Sequence, residues 1–373
     1  QQVIEQVQQV DQIHCATFDE AVSKGHIEIC TREVDEALLQ EHEKQSLTQE
    51  RNVKIIYSPL HGVGEKNVCD LLQAVGFEQV EVFGPHRERD GNFPNVPGHV
   101  SNPENPALFD TMIERAQNIG ADLILATDPD CDRLGVAAPL TTDPTGPWGT
   151  LSGNQIGALL TDYVLQQRQE AGTLTSDHYV VKTLVTTELT ARIAESYGVG
   201  VRGNLHVGFK WIGLEMDQSG PDLFVFGTEE SHGNLVGQYA RDKDGAVACL
   251  LMSELAAVLK KQGLSLHQQL DQLSIKHGYH AEQLINIQMT GSDGMRRMQA
   301  LLDSIRQTTP TEIGGIGVAA LRDYKSLQIQ KADGTSIPLD APAANMLILD
   351  LEEPGNYIAV RPSGTEPKVK LYM

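Results

Sequence analysis

The sequence has no run of about 20 apolar residues, the length that crosses the hydrocarbon of a bilayer, which excludes a helical membrane span and leaves no membrane partner to expect. It is also poor in basic residues: 29 Lys and Arg stand against 50 Asp and Glu, a formal net charge of -21. Nucleic-acid affinity depends on clustered Lys and Arg, so a DNA or RNA partner is excluded, and any anionic ligand must be held by local basic groups. Cysteines are few and scattered (Cys15, Cys30, Cys69, Cys131, Cys249) with no C-x-x-C pair, which argues against a disulfide framework or a zinc site and for a reducing cytoplasm. The first residues lack an initiator Met, a basic stretch and an apolar stretch, so no signal peptide is expected. They read like the middle of a helix, and Val369 to Met373 alternates as a strand does, so both ends read as cut. No repeat of solenoid period and no low-complexity tract occurs.

What is present is an ordinary globular composition, 40% apolar with 34 Gly and 17 Pro, in 373 residues, more than a single core fills. A polar helical lead (Val34 to Gln49) precedes Val53 to Tyr57, a short apolar run, and a helical pattern from Gly64 to Val75. The pattern recurs as Val80 to Phe83, a Gly/Pro/Asn-rich loop, a helix from Ala107 to Ile119 and the strand Leu123 to Ala126. Strands separated by helices imply a mostly parallel sheet. The turn-rich Thr141 to Pro147 is read as a boundary. A second α/β unit follows, with helices from Asn154 to Gln167, Glu188 to Tyr197 and Ala246 to Lys260 around strands Tyr179 to Lys182 and Leu223 to Phe226. Beyond His277-Gly278-Tyr279, period-2 segments around one helix (Gly294 to Gln307) suggest an antiparallel α+β domain. The expected fold is therefore α/β: two mixed-sheet domains over 1–143 and 144–276, then a smaller antiparallel domain over 277–373.

Each loop that can carry chemistry follows an apolar strand. Asp128-Pro129-Asp130-Cys131-Asp132-Arg133 places carboxylates at alternate positions of an extended loop, where they can converge as hard oxygen ligands for Mg²⁺ or Ca²⁺. An EF-hand is excluded, since Arg133 stands at its sixth position and Pro139 at its twelfth; a solvated acidic turn would have the same composition. Gly227-Thr228-Glu229-Glu230-Ser231-His232-Gly233 offers carboxylates, a hydroxyl and an imidazole at the end of a parallel strand, where open α/β sheets bind ligands. These groups suit sugar hydroxyls, although a plain polar loop uses the same residues. Arg361-Pro362-Ser363-Gly364-Thr365 combines a guanidinium fork, hydroxyls and backbone N–H groups fit to hold phosphate, with a hairpin turn as the alternative. Lys243 precedes a helix start that could face an anion, and Lys182 and Lys210 add weaker support beside the plain reading of surface lysines.

These loops, in this order, resemble the α-D-phosphohexomutase superfamily of the phosphoglucomutase/phosphomannomutase kind, and the resemblance extends over essentially the whole chain. It implies a D-x-D-x-D-R metal loop at Asp128, Asp130, Asp132 and Arg133, a sugar loop with an E-x-S core at Glu229 and Ser231, and a phosphate loop at Arg361, Ser363, Gly364 and Thr365. It further implies Mg²⁺ as cofactor, a hexose 1,6-bisphosphate as intermediate and activator, Lys210 and Lys243 as sugar or phosphate ligands, and Lys182 near the transferred phosphoryl group with Arg133 assisting. The substrate implied is a sugar phosphate, glucose first, with mannose or pentose phosphates as alternatives. One departure stands out: the family's T-A-S-H-N-P-like phosphoserine loop has no match before Asp128, and Val100-Ser101-Asn102-Pro103 lacks the His. The expectation is thus a mutase without its phosphoserine domain and without the last strand and helix beyond Tyr372, poorly active alone. The rival readings are a haloacid-dehalogenase-like phosphatase with Asp128 as nucleophile and an inactive sugar-phosphate binding remnant.

Overall fold

The computed structural model describes residues 2–30, 32–289, 293–363 and 368–373. It forms two compact units, Gln1–Lys44 and Gln45–Met373. The first carries the helices Gln2–Gln8, Phe18–Ser23 and Arg32–Glu43. Thr17 caps the second of them by accepting the Glu20 N–H at 3.3 Å. The ion pairs Lys24–Glu20 and Arg32–Glu36 span single turns and add a few tenths of a kcal/mol each.

Among the described residues, the second unit contains three sheets. In the first, Val80–Val82, Ile55–Ser58 and Leu123–Thr127 run parallel, and Leu134–Pro139 and Trp148–Leu151 continue antiparallel. In the second, Gly200–Arg202, Tyr179–Lys182 and Phe224–Thr228 are parallel and Asn234–Val236 antiparallel. The two share a plan: the last parallel strand turns through a short loop into its antiparallel neighbour. Ile55–Ser58 and Leu123–Thr127 are buried on both faces, which is why Ile55 to Tyr57 and Leu123 to Ala126 run apolar instead of alternating. On one face Ile56, Ile124, Ala126 and Ala137 meet Leu108, Phe109, Met112 and Ala116.

The helix Gly245–Gln262 packs against Leu123–Thr127 and Leu134–Pro139 of the first sheet and against Asn234–Val236 of the second, with helices Glu65–Ala74 and Gly153–Glu170 beside it. It is apolar around nearly its whole circumference because it is covered on every side. Both sheets thereby present their turning loops to one place.

The third sheet is antiparallel, in the order Leu284–Gln288, Lys368–Tyr372, Tyr357–Pro362, Leu347–Leu351, Ile316–Asp323, Gln328–Lys331, Ser336–Pro338. Met298 and Leu302 of the helix Gly294–Gln307 fill one face of it. Its other face docks Tyr324, Met346, Ile348, Ala359 and Tyr372 on Val185.

The fold class thus follows expectation, two mixed sheets and then an antiparallel one. Local differences have physical causes. The first sheet runs on past the turn at 141–147 to Leu151, since Val136 to Pro139 pairs with Trp148 to Leu151. The lead helix stops at Glu43, and Ser46 and Leu47 instead donate to the Glu254 carboxylate. Helices Phe209–Ser219 and Leu266–His277 lie where the sequence reading placed no element.

Candidate functional site

The acidic loop leaves the strand Leu123–Thr127 and folds back on Asp128. Asp128 is 1% exposed, and its Oδ1 accepts the backbone N–H groups of Asp132 and Arg133, each at 3.0 Å. Arg133 Nε donates to its Oδ2 at 2.6 Å. Cys131 takes a left-handed φ of 62° to make the turn. One oxygen from each of Asp128, Asp130 and Asp132 lies within 4.8 Å of the others, with Asp130 exposed and Asp132 half-buried. Burial, then the neighbouring Asp128, raises the Asp132 carboxyl above its ordinary value, and Lys243 opposes them through a 2.8 Å ion pair. Three carboxylates against Arg133 and Lys243 leave the group short of positive charge. An all-oxygen donor set of this kind fits a hard divalent cation.

The backbone of the loop after Ile55–Ser58 supports this cluster. Val63 N–H donates to Pro129 O at 2.8 Å. A Cβ on Gly62 would stand 2.3 Å from Pro129 Cα, so no larger residue fits there. The sequence reading missed Gly62, although its place just after a central strand was a usable signal.

The loop after Phe224–Thr228 meets the acidic loop directly. Arg133 and Gly233 form an antiparallel bridge, Leu134 N–H donates to His232 O at 3.1 Å, and His232 Nδ1 donates to Leu134 O at 2.8 Å. Glu229 Oε1 accepts Gly208 N–H at 2.6 Å. Lys243 threads past Gly233, its Cδ 2.6 Å from where a Cβ would be. A cavity of about 810 Å³ opens beside the loop, lined by Glu104, Asn154, Glu230, His232, Tyr357 and Tyr372. That volume is of the order that small ligands occupy.

Two family descriptions match the chain: "Phosphoglucomutase/phosphomannomutase, alpha/beta/alpha domain II" over residues 36–140 and the corresponding domain III over 152–275. The chain belongs to the phosphoglucomutase/phosphomannomutase family. Among curated proteins it is 34% identical over 326 residues to a phosphoglucomutase of Staphylococcus haemolyticus, covering 86% of this chain and 57% of that protein. A Staphylococcus aureus phosphoglucomutase is 33% identical over 324 residues, covering 86% and 56%. The chain thus spans little more than half the length of the curated relatives it matches. Among solved structures, a putative phosphomannomutase from Thermus thermophilus shares the fold with a TM-score of 0.61 at 18% identity, covering 91% of this chain and 62% of that one.

In this family member, Asp128, Asp130, Asp132, Arg133, Glu229, Ser231 and Lys243 fall on the two joined loops or beside them. Lys182 pairs with Thr228, directly before Glu229, and its buried ammonium bonds to Thr183 O, Thr186 O and Glu188 Oε1, the last at 2.8 Å. Lys210 is exposed, its Nζ 5.4 Å from the Trp211 ring centre. Arg361 lies half-buried opposite Lys370 on the third sheet, and Ser363 N–H donates to Lys368 O at 2.8 Å. Gly364 and Thr365 lie outside the described residues. The family match does not favour a phosphatase with Asp128 as nucleophile.

Glu229 is one of the shifted carboxyls beside the joined loops. Burial, then the Glu230 charge, pushes its carboxyl up from 4.5 to about 7, while Gly208 N–H and Lys243 pull it down. Raised in the folded state, this acid contributes stability that is complete below about 4.5 and lost as pH rises through about 7. The loss is on the order of 3 kcal/mol for a shift of that size. Glu229→Gln, which keeps the acceptor for Gly208, is expected to flatten this decline and to unfold at a higher temperature than the parent above neutrality. Thermal unfolding across that pH window checks it; an unchanged slope contradicts the assignment.

Proposed function

We propose that this chain forms the metal- and sugar-binding part of a phosphoglucomutase-type isomerase that interconverts hexose 1-phosphate and hexose 6-phosphate through a hexose 1,6-bisphosphate. The observation that carries the reading is the joining of the acidic loop to the Glu229–Ser231 loop by paired backbone bonds, which brings the carboxylate cluster and that loop together. Its membership of the family and its likeness to phosphoglucomutases favour glucose phosphate as substrate.

In this reading Asp128, Asp130 and Asp132 hold Mg²⁺. When bound, the cation offsets charge on a transferring phosphoryl group. Arg133, fixed by Asp128 and flanked by Glu104 at 3.5 Å, presents its guanidinium to the same anion. Glu229 accepts a sugar hydroxyl on the carboxylate oxygen that Gly208 leaves free, and Ser231 and Lys243 position the ring. Arg361 holds the phosphate that is not reacting, aided by the backbone around Ser363 and by Gly364 and Thr365. Lys210 stands at the edge of this arrangement, and Lys182 acts through Glu188 by ordering the loop that follows its strand. No residue of this chain is assigned the role of phosphoryl donor.

The test is calorimetric binding of glucose 1-phosphate to the purified chain with and without Mg²⁺, alongside an isomerisation assay with glucose 1,6-bisphosphate. Saturable, Mg²⁺-dependent binding is expected. Release of inorganic phosphate without isomerisation would favour the phosphatase instead, and absence of binding under both conditions would remove the reading.

A further inference from the structure

His232 stands at an improbable backbone position. Its φ is +73°, a left-handed conformation that a β-carbon disfavours by on the order of 1 kcal/mol, and it is 5% exposed. The strain has a counterpart in what the conformation makes possible. With the backbone turned this way, His232 O receives Leu134 N–H while the imidazole reaches back to Leu134 O, a contact across 98 residues of sequence. A carbonyl only accepts, so Nδ1 carries the hydrogen. Burial, the largest influence, depresses the imidazolium, which leaves a neutral ring donating through Nδ1.

The bonds continue on both sides of this contact. Leu134 directly follows Arg133, whose Nε grips Asp128, and Asp128 in turn accepts the Asp132 and Arg133 N–H groups. On the other side Gly233 O receives Glu229 N–H at 2.9 Å, closing the loop that carries Glu229 and Ser231. A shift of either loop therefore moves the other through His232. We propose that His232 is a positioning residue that makes occupancy of the Glu229–Ser231 loop by sugar phosphate and occupancy of the Asp cluster by a divalent cation mutually dependent. The proposal rests on the sugar-phosphate reading above, and concerns how its two halves communicate.

Two substitutions separate the imidazole from the backbone. His232→Gly keeps the left-handed conformation at no steric penalty but removes the donor. His232→Asn tolerates the same conformation and carries an amide nitrogen at the position of Nδ1. Mn²⁺ is titrated into the chain by electron paramagnetic resonance, with and without saturating glucose 1-phosphate. In the parent, glucose 1-phosphate is expected to tighten Mn²⁺ by about fivefold or more, the usual lower range of coupling between sites. His232→Gly should bring that factor to within about twofold of unity with its unfolding temperature preserved, and His232→Asn should restore it. If the glycine variant is unfolded at room temperature, the titrations are run on the parent and both variants at reduced temperature.

Several results would overturn the proposal. Coupling of parental size in the glycine variant would mean that the two ligands attract each other directly. Weakened binding of each ligand with the factor intact, or an asparagine variant no better than glycine, would mean a structural role alone. A parent that binds both ligands without coupling removes this inference only, whereas a parent that binds neither removes the functional reading with it.

Discussion

Asp128→Ala is expected to abolish Mn²⁺ or Mg²⁺ binding and to unfold at a markedly lower temperature than the parent. Asp128 is both a candidate ligand and the acceptor for Asp132 N–H, Arg133 N–H and Arg133 Nε. Removing one partner of a buried charge pair leaves the other uncompensated, and two backbone donors lose their acceptor at the same time. Because Arg133 is 26% exposed and can be rehydrated, roughly 3 kcal/mol is expected, toward the low end for buried pairs. Cation affinity should fall by more than about 100-fold, since changes to groups behind a metal ligand alone cost 10- to 100-fold. Asp128→Asn separates the two effects: its amide oxygen can still serve the backbone donors, so stability should largely return while cation binding does not. Calorimetric metal titration and thermal unfolding of both variants decide this. A wild-type metal affinity in either would remove Asp128 from the ligand set.

The second large effect lies away from the site. Glu254, 0% exposed within the otherwise apolar helix Gly245–Gln262, accepts Ser46 Oγ at 2.5 Å, Leu47 N–H at 3.0 Å and Tyr163 Oη at 3.0 Å, and pairs with Arg51 at 3.2 Å. Glu254→Ala leaves these donors facing a void and is expected to cost about 3–5 kcal/mol. Glu254→Gln keeps one oxygen acceptor and should lose less. Denaturant unfolding measures both. A loss under about 1 kcal/mol for the alanine variant would mean that the segment Ser46 to Arg51 re-pairs elsewhere.

Much of this was readable in the sequence, and the reasons differ from residue to residue. Carboxylates at alternate positions after a buried strand converge whatever the details, so Asp128, Asp130 and Asp132 could be grouped from spacing alone. Glu229 and Ser231 could be placed because a polar loop following an apolar parallel strand has only one end of the sheet to occupy. Lys182 could not. Which face of a strand a side chain takes depends on register, and here it turned Lys182 toward Glu188 and two carbonyls. Phe209–Ser219 escaped notice because Gly208 at its start reads as a turn; its φ of +124° shows that it is one, with a helix directly behind it. Turn formers mark 141–147 as a break in the chain, but they do not show that Val136 to Pro139 and Trp148 to Leu151 pair across it. The shared plan of the two mixed sheets left no sequence repeat, since it resides in hydrogen-bond pattern and not in residue identity.

The helix Gly245–Gln262 is one wall of two cores. A substitution on it is judged twice, once by each sheet, and a change accepted by one can be refused by the other. The two mixed sheets are therefore poor candidates for exchange between relatives as separate pieces: a chimera joined between them inherits a helix fitted to a neighbour it no longer has. Divergence on either side is bound to proceed in step with the other.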